Sequence, residues 1–420
     1  MHACGMDFGT SNSAIALPVP QGGVTLAPCE GHHGTLPTAL FYPAAAAPTT
    51  APLVGRAAQQ LFFEGEEGRF MRSLKRLLGT SLMTQTTIVN GKPKSFDRII
   101  GDFMAHLKTR AEATAGHALD AVIIGRPVHF VDGDAKGDND AETQLAMIAR
   151  HAGFAHAQFQ FEPIAAAFAH EQNIKNEKLA LVIDIGGGTS DFSLIKICAD
   201  YGRKPDRRDD ILASSGIRTG GNDFDKQLSL AAFMPLLGYR STYTDRNLTV
   251  PLAPFHDMSE WSKINFLYTP QQKRDMAHIL RASHAPEKIE RFIEVLEHET
   301  GHRLLATVED AKIALTDGPA TDAPMGFIES GLHAAVSRSD FDAAIAPNVH
   351  DVMASMDECL NAANIRDDQV DIIILTGGPT QTPLFQKIIR ARFPDAEISE
   401  EERMASVAIG LGHDARRVFK

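Results

Sequence analysis

Cysteine is scarce and scattered in this sequence. Cys4, Cys29, Cys198 and Cys359 are its four cysteines, and no two form a Cys-x-x-Cys pair. A zinc ribbon, a thiol redox pair and a disulfide framework are therefore not expected, which suits a reducing compartment. Basic blocks are lacking as well. Lys and Arg number 41 against 53 Asp and Glu, a formal net charge of −12. Binding to nucleic acid rests on clustered Lys and Arg that displace phosphate counterions, so no nucleic-acid partner is expected. No apolar run approaches the roughly 18 residues of a membrane span, so no membrane partner is expected either. The N-terminal Met-His-Ala-Cys-Gly-Met-Asp lacks the basic-then-apolar pattern of a secretory signal. A cytoplasmic location follows as the expectation. The pattern GxxxxGK[ST] is also absent, which excludes a P-loop as the phosphate device.

What is present is an ordinary globular composition. The 420 residues are 44% apolar and 22% charged, enough for two or more domains without metal or disulfide staples. Short apolar runs bounded by Gly, Pro or Asp predict strands at Ala121–Gly125, Gln158–Phe161, Leu179–Ile185, Phe192–Ile197 and Asp371–Thr376. Helical patterns cover Ala141–His151, Ala165–Gln172, Asp223–Phe233, Glu287–Leu315, Asp340–Ala363 and Pro383–Phe393. Their alternation predicts an α/β architecture with largely buried sheets. Pro43–Pro52, Val131–Asp140 and Gly202–Asp210 read as loops, and Tyr239–Pro286 as an inserted, more exposed subdomain.

One internal repeat carries the chemistry. Cys4-Gly-Met-Asp-Phe-Gly-Thr-Ser-Asn-Ser resembles Val182-Ile-Asp-Ile-Gly-Gly-Gly-Thr-Ser-Asp. Each reads as a strand, an aspartate, a Gly-rich turn with hydroxyls, and a second strand. Glycine lets backbone N–H groups approach a phosphate closely, and successive N–H groups in a turn form an anion nest. Gly9, Thr10, Ser11 and Asn12 offer one such nest, and Gly186, Gly187, Gly188 and Thr189 another. Asp7 and Asp184, just ahead of the turns, suit a hydrated magnesium, which takes only one or two carboxylates beside phosphates. Either turn alone could be no more than a tight hairpin; two in parallel contexts make that reading poor.

With further segments in order, the chain resembles the nucleotide-binding domain of the heat-shock protein 70 chaperones. The segments are Leu74-Lys-Arg-Leu-Leu-Gly, Ile124-Gly-Arg-Pro-Val, Phe161-Glu-Pro-Ile-Ala-Ala-Ala-Phe, Gly220-Gly-Asn-Asp-Phe-Asp, Val308-Glu-Asp-Ala-Lys-Ile-Ala-Leu-Thr and Ile374-Leu-Thr-Gly-Gly-Pro-Thr-Gln-Thr-Pro. The Gly-Arg-Pro and Met-Pro-Leu-Leu-Gly stretches look most similar to a short bacterial branch called YegD-like. The resemblance implies an actin-like ATPase (ribonuclease H-like) fold of two lobes, each a mixed sheet flanked by helices, plus inserted subdomains. It would place lobe I at residues 1–176 with an insertion at about 37–115, lobe II at 177–403 with an insertion at about 225–305, and a helix at 404–420 returning to lobe I.

The resemblance also implies roles. Lys75 matches the lysine beside the attacking water and γ-phosphate; taken alone it reads as an exposed helix lysine. Glu162 matches the carboxylate beside that water; alone it reads as a helix start before Pro163. Asp7 and Asp184 match the magnesium-side aspartates, and Asp191 a further carboxylate near the water. Thr10 and Thr189 would donate to phosphates, and Gly220 and Gly221 would approach them. Glu309, Lys312 and Thr316 recur at i, i+3, i+7 on one helix face and would meet ribose and base, with a solvated Glu–Lys face as the plainer reading. Gly377 and Gly378 would pass under the adenosine. The implied ligands are ATP or ADP with Mg2+, and K+ is admitted beside them. The implied activity is slow ATP hydrolysis with hinge-type lobe closure, in a monomer that meets a co-chaperone or client protein. A small-molecule kinase of the same fold and a polymerising actin-like protein are the alternatives.

The sequence departs from the family at the base. Two arginines that flank adenine in the family correspond to Ile313 and Gln381, a serine to Pro379, and an acidic residue to Met404. Cation–π stacking on the base is therefore not available. The sequence stops at Lys420, soon after the last ATPase-domain helix, so no peptide-binding domain is expected within it. Two motifs are set aside. His298-Glu-Thr-Gly-His302 matches HExxH, whose spacing would put both histidines on one helix face, but Gly301 sits inside it and no third ligand follows. Asp132-Gly-Asp-Ala-Lys-Gly begins like a calcium loop, but Lys136 and Thr143 stand where ligands belong; it reads as an acidic surface loop. The 17 histidines do not otherwise cluster, and His32-His33 is explained by a loop.

Overall fold

The computed structural model describes residues 2–19, 23–44, 50–131, 134–171, 174–201, 204, 207–399 and 405–419. These form two compact units. The first comprises Met1–Gly216, Ser355–Thr380 and Arg390–Lys420, the second Ile217–Ala354 and Gln381–Ile389.

In chain order, the strands of the two main sheets and the α-helices begin with β1 (Ala3–Phe8), β2 (Asn12–Pro18), β3 (Val24–Leu26), α1 (Arg56–Phe63) and α2 (Phe96–Ala115). Next come β4 (Ala121–Arg126), α3 (Ala135–His151), β5 (His156–Phe161) and α4 (Glu162–Glu171). A second series opens with β6 (Lys178–Ile185), β7 (Ser190–Ile197) and β8 (Ile211–Ile217). Helices α5 (Gly221–Leu228), α6 (Ala253–Met258), α7 (Pro270–Ala282), α8 (Pro286–Glu297) and α9 (Gly301–Asp317) follow. The chain closes with α10 (Arg338–Ala362), β9 (Ile372–Thr376), α11 (Pro383–Arg392), β10 (Glu397–Ser399) and α12 (Ser406–Val418).

The first unit is a duplication. One sheet has the order β3-β2-β1-β4-β5, with Thr35–Pro37 also pairing on β2; the other has the order β8-β7-β6-β9-β10. β1 pairs antiparallel with β2, and β6 with β7, whereas the pairing of β1 with β4, or of β6 with β9, is parallel. The fourth and fifth strands are parallel as well. Period-2 side-chain alternation explains how each strand serves two faces. On β4, Val122 and Ile124 join the core that holds Cys4, Met6, Phe8, Phe103 and Leu107, whereas Ile123 joins the core of Ile164, Ala166, Val182, Ile374 and Leu411. Strand β9, Ile-Ile-Ile-Leu-Thr, is buried at every residue, as expected of a strand covered on both faces.

Helices α4 and α12 meet where side chains would not fit. A Cβ on Gly410 would lie 1.8 Å from the Ala165 carbonyl oxygen, and one on Gly5 would lie 2.2 Å from the Gly412 nitrogen. Small residues let these backbones touch, so α12 presses on β1 and α4 at once.

The second unit packs aromatic residues. The Phe255 ring centroid lies 4.6 Å from that of Phe292 and 5.7 Å from that of Tyr239. Buried Phe255, Met258, Ile264 and Met276 show that Tyr239–Pro286, read as an inserted and more exposed subdomain, also contributes core. Its short elements do not sustain a period long enough to be read.

Other expectations need correction. The continuous helix expected over Glu287–Leu315 is two, because Glu299 turns left-handed at φ 52° and separates α8 from α9. His298 therefore ends one helix while His302 lies buried in the next, its ring 4.9 Å from Trp261. The HExxH spacing thus does not put the two histidines on one helix. Within Val131–Asp140, helix α3 starts at Ala135 because Asp134 caps it, accepting from the Lys136 and Gly137 N–H groups at 3.0 Å. Residues 132 and 133 of the calcium-like stretch lie outside the described residues, as do 45–49, 172, most of 202–206, and Met404. Over Asp223–Phe233, α5 passes at Ser229 into a π-helical turn, Ser229–Phe233.

Candidate functional site

The two Gly-rich hairpins have the same register. Phe8 pairs with Ser13 and Ile185 with Ser190, so Gly9–Asn12 and Gly186–Thr189 are turns of equal length. Asp7 and Asp184 stand one pair further in, opposite Ala14 and Asp191. The second turn is closed by the Gly186 N–H on the Thr189 carbonyl at 2.9 Å. Thr189 Oγ1 donates to Asp191 Oδ2 at 3.0 Å. In the first turn, Ser11 Oγ is buried with no hydrogen-bond partner.

Lys75 is not an exposed helix lysine. Ser73, left-handed at φ 58°, starts a 3-10 turn, Leu74–Leu77, with Leu74 and Leu78 buried as anchors. This directs Lys75 Nζ to within 2.6 Å of Glu162 Oε1, with side chains only 11% and 13% exposed. Glu162 opens α4 immediately after β5 and is followed by Pro163, whose fixed φ suits a helix start.

Charge crowds this place. Burial alone would depress the Lys75 ammonium, but the carboxylates of Glu162, Asp7 and Asp184 outweigh it and hold the pKa above the usual lysine value. Burial, then the Glu162 charge, push Asp7 up to about 7, against the opposing pull of Lys75. Burial and then Glu162 raise Asp184 too, tempered by a hydrogen bond from Thr376, its neighbour across the parallel β6–β9 pair. Asp191 keeps an exposed edge, yet the protein packed round its carboxyl, then the Asp184 charge, push it up to about 7. Several carboxylates that raise one another's pKa, with one buried lysine among them, make a site that favours added positive charge. An open cavity of about 580 Å3 adjoins it, with Glu162, Asp184, Asp191, His129, Ser215 and Thr376 in its lining.

Behind Asp184 the chain turns under β6. Gly377 has φ 80°, and a Cβ there would lie 2.1 Å from the Ile185 carbonyl oxygen and 3.1 Å from Asp184 Oδ1. Only glycine meets both demands. Gly378 follows in a 3-10 turn, Gly378–Gln381, fixed by Thr380 Oγ1 on the Gly377 carbonyl at 2.6 Å.

The first unit thus brings together Asp7, Lys75, Glu162, Asp184, Asp191, both turns and the Gly377–Gly378 corner. Gly220, Gly221, Glu309, Lys312 and Thr316 belong to the second unit. There, Gly220 precedes α5 and its N–H donates to Asp223 Oδ2 at 2.9 Å. Glu309, Lys312 and Thr316 are half-buried along α9. Lys312 Nζ is engaged by Asp225, 2.8 Å from Oδ1, in a pair only 13% and 7% exposed. Ile313, at the base-stacking position of the family, is 56% exposed.

Three polar residues escaped the reading of the sequence. Asp225 had a signal, lying two residues beyond Asp223 in the same Gly-Gly motif. Thr376 ends the Ile-Leu-Thr run and so sits beside the Gly pair. Arg76 is next to Lys75, but nothing in the sequence pairs it with Gly188, to whose carbonyl its Nη2 donates at 2.9 Å.

Magnesium fits these residues. Among the described residues, no three His, Cys, Asp or Glu close into a direct metal shell. A magnesium that keeps most of its waters needs none, and Asp7 with Asp184 supply the excess negative charge.

The sequence profile of the Hsp70 protein family matches residues 3–234 and 277–412. The chaperone protein HscA homolog of Shewanella denitrificans is 26% identical over 435 residues, covering 98% of this chain and 58% of that protein. Chaperone protein DnaK of Thermosipho africanus is 26% identical, covering 99% of this chain and 58% of its own length. The DnaK of Thermotoga petrophila is 27% identical, with 98% and 58% covered. The chain therefore spans less than two thirds of the length of these curated relatives. Among the described residues, no helix is long and apolar enough to cross a membrane.

Proposed function

Because the chain belongs to the Hsp70 protein family, whose actin-like ATPase fold its two matching sheets carry, we propose that it binds ATP and hydrolyses it with magnesium. The observation that carries this is the Lys75–Glu162 pair at 2.6 Å, set among Asp7, Asp184 and Asp191 beside two hairpins of one register. A buried ion pair of this kind is poor evidence of added stability, since desolvation offsets its attraction. A site for a reacting anion gives it a reason.

Phosphoryl transfer to water asks a protein mainly for positioning and charge. N–H groups of Gly9–Asn12 and Gly186–Thr189, with the Thr10, Ser11 and Thr189 hydroxyls, hold phosphate oxygens. The Lys75 ammonium offsets charge on the terminal phosphate. Glu162 and Asp191 orient the attacking water and accept its proton, a task suited to the raised pKa of Asp191, which stands near 7. Asp7 and Asp184 would hold a hydrated magnesium, which would supply charge neutralisation at the phosphates. For the adenosine, Gly377 and Gly378, Glu309, Thr316 and Lys312 are proposed on the family's pattern. In this reading the protein is a nucleotide-controlled member of a chaperone family, and its partners are a co-chaperone or a client protein.

Purified protein with Mg-ATP and no acceptor should release inorganic phosphate. Lys75→Ala should lower turnover by at least about a hundredfold, the scale of losing a charge aimed at the reacting group, while calorimetry still detects nucleotide. Transfer of phosphate to a metabolite without release would replace this reading by a kinase, and sedimentation on ATP addition by a filament. Undiminished hydrolysis in Lys75→Ala would remove Lys75 from its role.

A further inference from the structure

Lys75 and Arg76 are consecutive on one 3-10 turn and reach different partners. Lys75 meets Glu162, as described. Arg76 reaches the second Gly-rich turn, where its Nη2 donates to the Gly188 carbonyl at 2.9 Å. The contact is also one of shape. A Cβ on Gly188 would lie 2.3 Å from Arg76 Nη2, 2.8 Å from Cζ and 3.3 Å from Nε. The guanidinium therefore fills the space that a Gly188 side chain would need. Gly188 is not in the left-handed region, so its backbone would accept alanine. What excludes a side chain is Arg76.

The turn that carries both residues is pinned at its other end. The Gly79 N–H donates to Gln144 Oε1 of α3 at 2.9 Å, and a Cβ on Gly79 would lie 2.5 Å from the Gly137 carbonyl oxygen. Arg76 thus projects from a braced base. A carbonyl tied by a guanidinium cannot rotate inward, and in a tight turn that fixes which way the neighbouring N–H groups face. A second, weaker hydrogen bond inside the turn, Gly186 N–H to Thr189 O at 2.9 Å, cannot set the Gly188 peptide by itself.

We propose that Arg76 is a positioning residue: it latches the Gly188 carbonyl and so presents the N–H groups of Gly186–Thr189 to the nucleotide phosphates, in register with Lys75. The proposal rests on the reading of that turn as a phosphate cradle. Arg76 itself is exposed, so its loss should cost the fold little and act on the turn.

Two measurements separate the latch from the function. In nucleotide-free protein, Arg76→Ala should speed hydrogen exchange at the amides of residues 186–189 with no loss of thermal stability. Calorimetry with Mg-ADP should show about tenfold weaker binding, the scale of one charge-assisted hydrogen bond, and KM for ATP should rise alike while kcat stays within about twofold. Gly188→Ala should likewise speed exchange and weaken Mg-ADP binding by expelling the guanidinium, and the double variant should be no worse in either than the worse single one, a coupling that general destabilisation would not produce. Unchanged exchange in Arg76→Ala would overturn the latch. Faster exchange with unaltered Mg-ADP affinity would overturn its role in positioning. If the unaltered protein binds no Mg-ADP at all, the proposed function fails while the exchange data still judge the latch.

Discussion

Asp7 shows what a crowded carboxylate cluster costs its own fold. Its carboxyl ordinarily titrates near 3.8, and here burial and the Glu162 charge raise it to about 7. The folded protein therefore holds a proton that the unfolded chain has released above about pH 4. Wherever the native state binds more protons, stability falls as pH rises. Asp7 contributes its full stability below about pH 4 and loses it progressively up to about pH 7. Asp191, raised to about 7, acts in the same direction. Urea midpoints of nucleotide-free protein should thus decline from pH 5 to pH 8. Asp7→Asn, which cannot ionise, should flatten part of that slope and be the more stable protein at pH 8. An unchanged slope in Asp7→Asn would show that Asp7 is already ionised in the folded state. The charge pattern was partly legible beforehand: an aspartate ahead of each Gly-rich turn was visible, but the crowding that perturbs them requires β1, β6 and the Lys75 turn to converge.

At the scale of elements, contact between α4 and α12 decides how the two sheets share one core. The Ala-rich run Ile164–Phe168 in α4 and Gly410 and Gly412 in α12 are small for a packing reason. Gly410→Ala drives a methyl into the Ala165 carbonyl, 1.8 Å away as built. Backbone cannot yield as a side-chain tip can, so a loss of about 3 kcal/mol or more is expected, at the upper end of overpacking. Chemical denaturation of Gly410→Ala beside Gly331→Ala, an open site in the second unit whose only penalty is its φ of 79°, would separate clash from conformational cost. Equal losses would refute the close contact. Strands and helices with uniform periodicity, such as β4, β6, β7 and α10, were readable because both faces are buried or one stripe is apolar. The break at Glu299 was not, since α8 and α9 each keep the helical period and neither Gly nor Pro marks the left-handed residue. Nor was the start of α3, because Asp134, which caps it, stands in a Gly- and Asp-rich stretch with the composition of a loop.

The whole molecule carries a net charge of −12, while its proposed ligand is an anion. In the proposed site the conflict is resolved locally by Lys75 and by the N–H groups of the turns, which act over a few ångströms. Long-range attraction is another matter, because the summed field governs the approach of a charged ligand. The duplication that makes the site was legible across the entire chain as two related hairpins. The net field was legible from composition alone. Together they give a prediction opposite to that for a basic nucleotide-binding protein. The Debye length shrinks from about 30 Å at 0.01 M salt to about 8 Å at 0.15 M, so added salt screens the repelling surface and leaves the contact groups untouched. Stopped-flow association of Mg-ATP should therefore quicken as KCl rises over that range, with the dissociation rate nearly constant. Substituting NaCl for KCl at equal ionic strength separates screening from any specific potassium site: equal acceleration by both salts supports the field argument. Association that slows with salt would mean that the Lys75 and Arg76 charges dominate the approach despite the net charge of −12.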